Sequence, residues 1–159
     1  MSAPLRVLVV CLGNICRSPM AEGILRRHFE DAGLGHRVTF DSAGTGAWHV
    51  GQAPDPRATR ICRENGIAID GLRARQVASR DFEDFDLVLC ADASNLRHLR
   101  AMAPRDTWPK IALLLDHAGL GPDAEVPDPY DGSIEHFRRV HRLLEDAARS
   151  LLTKLQLPA

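Results

Sequence analysis

Apolar residues in this chain concentrate in four short runs, separated by longer stretches where they recur every three or four positions. The runs cover residues 5–10, 37–41, 87–90 and 110–115. A run of this length without polar alternation marks a strand buried on both faces, as in a parallel sheet. Helical segments alternate with the runs. The first covers 19–32, with Met20, Ile24, Leu25, His28 and Phe29 at helical spacing, and stops at Gly33. A second covers 53–65 and ends at Gly66. A third begins near Ala93 and ends before Pro104. The last begins near Ser133 and carries Phe137, Val140, Leu144, Ala148, Leu151 and Leu155 on one stripe, a core-packing pattern. This alternation predicts an α/β fold: a single doubly wound domain over 1–159, with a four-stranded parallel sheet flanked by helices. No repeat, linker or low-complexity segment interrupts it.

Composition narrows the function. The chain has 159 residues, 45% of them hydrophobic, enough for a sizeable core. A net charge of −1 leaves no electrostatic footprint for nucleic acid or an anionic membrane surface. No apolar run approaches the ~18 residues of a membrane span. The opening Met1-Ser2-Ala3-Pro4 lacks the regions of a signal peptide, so a cytoplasmic location is expected. Four cysteines in a chain of this size do not suggest a disulfide scaffold; Cys62 and Cys90 read as core residues. The histidines show no ligand spacing: His136 and His141 leave opposite flanks of their helix, and no Cys-x2-Cys occurs. Neither a metal nor a cofactor is expected.

The chemistry concentrates in Cys11-Leu12-Gly13-Asn14-Ile15-Cys16-Arg17-Ser18, which follows a strand and precedes Pro19 and a helix. Peptide N–H groups between a strand and a helix start converge on one cavity that suits a tetrahedral anion. Arg17 adds a planar fork for two phosphate oxygens. Cys11 stands at the mouth, where the helix N-terminus and the arginine hold it as thiolate. Ser18 is expected to cap the helix, with Pro19 in its first turn, and to reach the Cys11 sulfur with its hydroxyl. A nucleophile above a phosphate cradle is a phosphoryl-transfer site. The leaving oxygen needs a proton. Asp128, between Pro127 and Pro129 on a restricted backbone, is the candidate donor. Local sequence reads that stretch as readily as a surface turn, and Asp116, Asp123 and Asp131 compete.

At these residues the chain resembles the low-molecular-weight protein tyrosine phosphatases. The resemblance also covers Asp41-Ser42-Ala43-Gly44-Thr45, Trp48, Asp55-Pro56-Arg57-Ala58, Ala74-Arg75-Gln76, Ser94-Asn95-Leu96 and Val126-Pro127-Asp128-Pro129-Tyr130. It implies the phosphotyrosine protein phosphatase I-like fold and a phosphoric monoester hydrolase acting through a phosphocysteine. Cys11, Arg17 and Asp128 would be catalytic. Leu12, Gly13, Asn14, Ile15, Cys16, Ser18, Trp48 and Tyr130 would bind substrate, with Asn14, Ser18 and Ser42 supporting the loop. Cys16 resembles the family's redox guard, able to form a disulfide with Cys11, although it reads equally as a packing residue. Implied partners are phosphotyrosine-containing proteins, an opposing tyrosine kinase in bacteria, and phosphate or a similar oxyanion in the loop.

One position departs from the family: Leu72 stands where it usually has a loop-supporting histidine. Two other activities share this fold. A protein-arginine phosphatase carries threonine at the position of Ile15, so isoleucine favours phosphotyrosine. A thiol-coupled arsenate reductase needs two further cysteines close in sequence; Cys62 and Cys90 are far apart. A non-catalytic anion-binding module would need neither the nucleophile nor the acid.

Overall fold

The computed structural model describes residues 3–155. Its centre is a four-stranded parallel sheet of β1 (Leu5–Cys11), β2 (Val38–Gly44), β3 (Leu87–Cys90) and β4 (Ile111–Leu113), in the order β2-β1-β3-β4. Around it lie α1 (Arg17–Asp31), α2 (Pro56–Glu64), α3 (Asp81–Asp84), α4 (Ala93–Met102), α5 (Leu114–His117) and α6 (Ile134–Leu155), with a 3₁₀ turn at Arg105–Lys110.

Strand β1 explains why its apolar run does not alternate. Successive side chains point to opposite faces, and both faces are covered. Val7, Val9 and Cys11 join a core cluster with α1, α2 and α6; Leu8 and Val10 join a second with Phe82 and Leu99 from α3 and α4. Five of the six residues in the α6 stripe are buried, and Leu155 packs at its edge. The chain runs from β1 outward to β2, then crosses back to add β3 on the other side of β1. Such a reversal opens a crevice beyond the carboxyl ends of the two strands. Cys11 is the last residue of β1, and Asp92 follows β3 by two positions.

Element boundaries differ from the sequence expectation where local composition misleads. Strand β2 continues to Gly44, in register with Cys11, although Ser42-Ala43-Gly44 has turn-like composition. A Cβ at Gly44 would stand 2.8 Å from the Leu12 carbonyl oxygen, so small residues let β2 lie against the loop. Helix α1 starts at Arg17 rather than Pro19. Its cap position is Cys16, without a side-chain cap bond, so Ser18 is not the cap. Helix α2 starts at Pro56 rather than residue 53, because the Asp55 carboxylate accepts from the Arg57 N–H at 2.8 Å and Pro56 suits the first turn. The run at 110–115 is shared between β4 and α5, since a short apolar stretch fits either conformation. No helix among the described residues is long and apolar enough to cross a membrane.

Candidate active site

The loop leaving β1 turns sharply at Asn14, which adopts φ 57°. This left-handed conformation is one that asparagine tolerates better than most residues. The strain is held by three hydrogen bonds. Asn14 Nδ2 donates to Ser18 Oγ at 2.7 Å and to Ser42 Oγ at 3.1 Å, and its Oδ1 accepts from the Arg75 N–H at 2.9 Å. Ser18 Oγ lies 3.0 Å from Cys11 Sγ. With Asn14 donating to Ser18, the serine hydroxyl proton is free to point at the sulfur. Ser18 lies inside the first turn of a helix that begins at Arg17, too late to cap it, and its hydroxyl faces the Cys11 sulfur. The support extends to Glu22, which sequence reasoning missed: its carboxylate is 4% exposed, accepts from Ser42 Oγ at 2.7 Å and pairs with Arg26 at 2.6 Å. Leu72 packs against the core, and the network closes without a histidine through the Arg75 N–H and Glu22.

Arg17 is 3% exposed and held from behind. Its Nη1 donates to Asp92 Oδ2 at 2.7 Å and to the Val126 carbonyl at 2.9 Å, while Nη2 lies 3.6 Å from Asp128 Oδ2. Burial works against its charge, but Cys11, Asp92 and Asp128 push its pKa up overall. Asp92 was not singled out from sequence. The available signal was its place just past a central strand, opening a helix through a capping box with Asn95. Asp128 is 43% exposed, and its Oδ1 accepts from the Tyr130 N–H at 3.1 Å.

These elements enclose one cavity. Cys11, Gly13, Cys16 and Arg17 form its base, and Leu12, Ile15, Trp48 and Tyr130 its walls, with Asp128 at the side. Asn14 and Ser18 do not line it; they stand behind the loop with Ser42. His49, which sequence reasoning did not name, joins the rim, its ring centroid 6.2 Å from that of Tyr130. Asp116, Asp123 and Asp131 line no part of the cavity, and Asp116 accepts instead from the Asp123 N–H at 3.0 Å.

All four cysteines are free and buried. Burial raises the thiol pKa of Cys62 and Cys90 to about 12, so neither is a ready nucleophile. Cys16 is pushed up as well, first by burial and then by Asp55, Cys11 and Asp128. Among the described residues no group of three His, Cys, Asp or Glu side chains is placed to hold a metal ion.

A family model for low molecular weight phosphotyrosine protein phosphatase matches residues 6–158. The low molecular weight protein-tyrosine-phosphatase of Streptomyces coelicolor is 46% identical over 155 residues, covering 95% of this chain and 93% of its own. The low molecular weight phosphotyrosine protein phosphatase of Schizosaccharomyces pombe is 42% identical over 156 residues, covering 98% and 99%. Among solved structures, the protein tyrosine phosphatase of Entamoeba histolytica, with Hepes in its active site, superimposes with TM-score 0.90. It has 38% identity and covers 96% of this chain and 97% of that one. The match runs through the loop, the sheet and the acid-bearing segment alike, and on it the chain belongs to the low-molecular-weight phosphotyrosine protein phosphatase family.

Proposed function

We propose that the protein hydrolyses phosphotyrosine and small aryl phosphates through a phosphocysteine on Cys11. The observation that carries this is one cavity holding a thiol, a buried arginine and a carboxylate between apolar and aromatic walls. The Cys11 thiolate attacks phosphorus, forming the S–P bond as the P–O bond to the phenol breaks. Arg17 and the loop N–H groups take up charge on the equatorial oxygens. Asp128 gives its proton to the leaving phenolate. As carboxylate it then accepts a proton from water, whose oxygen displaces the sulfur and releases phosphate. The Ser18 hydroxyl stabilises the departing thiolate. Leu12, Ile15, Trp48 and Tyr130, which line the cavity, suit a flat ring, and on this reading phosphotyrosine is preferred over the shorter phosphoserine.

The same reading takes 1–159 as one phosphatase domain, supported by the extent of the family match and the single sheet. Its substrates are phosphotyrosine proteins, which sets it against a tyrosine kinase; phosphate is the oxyanion of the loop. Four free thiols fit the reducing cytoplasm. Arsenate reduction would need an outward cysteine relay, and Cys62 and Cys90 are buried away from the cavity.

The test is turnover of phosphotyrosine, phosphoserine, phosphoarginine and arsenate by the purified chain and its variants. Phosphotyrosine is expected to lead, Cys11→Ser to abolish turnover while retaining phosphate binding, and Ile15→Thr to raise phosphoarginine turnover relative to phosphotyrosine. Asp128→Asn is expected to slow esters with poor leaving groups by ~10²–10⁴-fold, and esters of acidic phenols far less. A wild type that prefers phosphoarginine, or an Asp128→Asn that slows all leaving groups equally, would reject the corresponding assignment.

A further inference from the structure

The segment that carries Asp128 has little secondary structure of its own. Pro127 and Pro129 have no N–H to give; the Asp128 carboxylate accepts from the Tyr130 N–H and faces Arg17, and one turn bond, Gly132 N–H to the Pro129 carbonyl at 2.9 Å, lies within the segment. From outside, the Val126 N–H donates to the Ala91 carbonyl at 2.9 Å, and two arginines add side-chain holds at the two ends. Arg17 grips one end through the Val126 carbonyl. Arg57 grips the other: Nη2 donates to the Tyr130 carbonyl at 2.9 Å and Nη1 to the Gly132 carbonyl at 3.0 Å. The hold on Tyr130 is therefore on the same residue whose N–H aims the acid.

Arg57 is itself fixed. Its Nε and Nη2 meet the two oxygens of Asp55 at 3.1 and 2.9 Å, and its guanidinium carbon stacks 4.4 Å over the centre of the buried Phe137 ring. Asp55 in turn is tied to the phosphate loop, its N–H donating to the Ile15 carbonyl at 2.8 Å. A continuous chain of short contacts thus runs from the phosphate loop through Asp55 and Arg57 to the segment holding the acid.

We propose that Arg57 is a positioning residue for acid catalysis, fixing the Asp128 segment at the right distance from the phosphate loop. It touches neither substrate nor the reacting atoms. It acts by joining a carboxylate and two carbonyls with one planar fork, a task that a point charge cannot perform. Proton donation tolerates little displacement, since a shift of about 1 Å costs on the order of 10²-fold. The phosphate loop has its own supports in Asn14, Ser18 and Ser42, so loss of Arg57 leaves the oxyanion cradle in place. The proposal rests on the reading of Asp128 as general acid.

The test compares wild type, Arg57→Ala, Arg57→Lys, Asp128→Asn and the Arg57→Ala/Asp128→Asn pair as full chains. Measurements are kcat/KM across aryl phosphates of graded phenol acidity and inhibition by inorganic phosphate. Arg57→Ala is expected to lower kcat/KM by ~10–10²-fold for the poorest leaving groups and by less than ~3-fold for the most acidic phenols. Phosphate inhibition is expected to stay within about twofold, and Arg57→Lys to recover little. On an Asp128→Asn background the same Arg57→Ala change is expected to cost less than ~3-fold, because no aimed proton remains to be lost. A uniform loss across leaving groups, a matching rise in the phosphate inhibition constant, or an undiminished loss in the double variant would overturn the proposal. If Asp128→Asn shows no leaving-group dependence, the general-acid reading itself fails. If Asp128→Asn shows it and Arg57→Ala does not, only the role of Arg57 fails.

Discussion

Cys16 shares the base of the cavity with Cys11, yet burial and nearby acidic groups keep its thiol pKa high. Cys16 is thereby kept as a thiol that does not compete with Cys11 for phosphorus. We propose that peroxide converts the Cys11 thiolate to a sulfenic acid, and that Cys16 sulfur then displaces its hydroxyl as water to close a disulfide. Mild peroxide is expected to inactivate the protein and a thiol reductant to restore it, with poorer recovery in Cys16→Ser. Peptide mapping by mass spectrometry should find Cys11 joined to Cys16; a link to Cys62 or a persistent sulfenic acid would reject the scheme. Residues of this kind were legible because loop, nucleophile and arginine are adjacent in sequence, and their spacing carries the chemistry. Asp92 lies 75 residues from the Arg17 it orients, and Glu22 lies 20 from the Ser42 it supports. Local sequence marks Asp92 as a helix cap and Glu22 as a helix residue; only the crossing of strands brings either to the site. At Ser18 the expected reach to the Cys11 sulfur is met at 3.0 Å, whereas the expected cap is not, because the helix already begins at Arg17.

Helix α6 packs its apolar stripe on α1 and places His141 in that seam, 5% exposed, with Nε2 lacking a hydrogen-bond partner. Glu145 stands 3.6 Å away, shared with His28 of α1. Burial lowers the His141 pKa below the ordinary 6.5, His28 works in the same direction, and Glu145 opposes both. Below about 6.5 the unfolded chain binds a proton at this site that the folded chain refuses, so stability falls as pH drops through that range. Thermal unfolding is expected to show a lower Tm at pH 5.5 than at pH 7, and His141→Met to show a smaller drop. An unchanged drop would mean that other groups dominate. At this scale the sequence read well where a pattern persists over several turns, as in α6. It read poorly at edges such as β2 and α2, where tertiary contacts set the ends: the close approach of Gly44 to Leu12 and the Asp55 cap.

The described residues form two apolar clusters separated by one sheet, and the site sits where the central strands end. Anion binding at the loop therefore couples to the fold as a unit. Inorganic phosphate at ~100 times its dissociation constant contributes about 2.7 kcal/mol to stability. For a chain of this size, that raises Tm by roughly 5–10 °C. Arg17→Lys is expected to remove most of the shift; a full shift in that variant would place the anion elsewhere. The mouth of the cavity has a second consequence. Only two tryptophans occur in the chain. Trp108 is stacked against Arg105 and bonded to the Ala103 carbonyl, whereas Trp48 stands 70% exposed on the rim. Trp48 is thus a native optical label: on the proposed function, an arriving aromatic ring is expected to strip water from it and alter its emission, and bare phosphate to leave it wet. Melting temperature and fluorescence together resolve one substrate into its two halves, the anion below and the ring above.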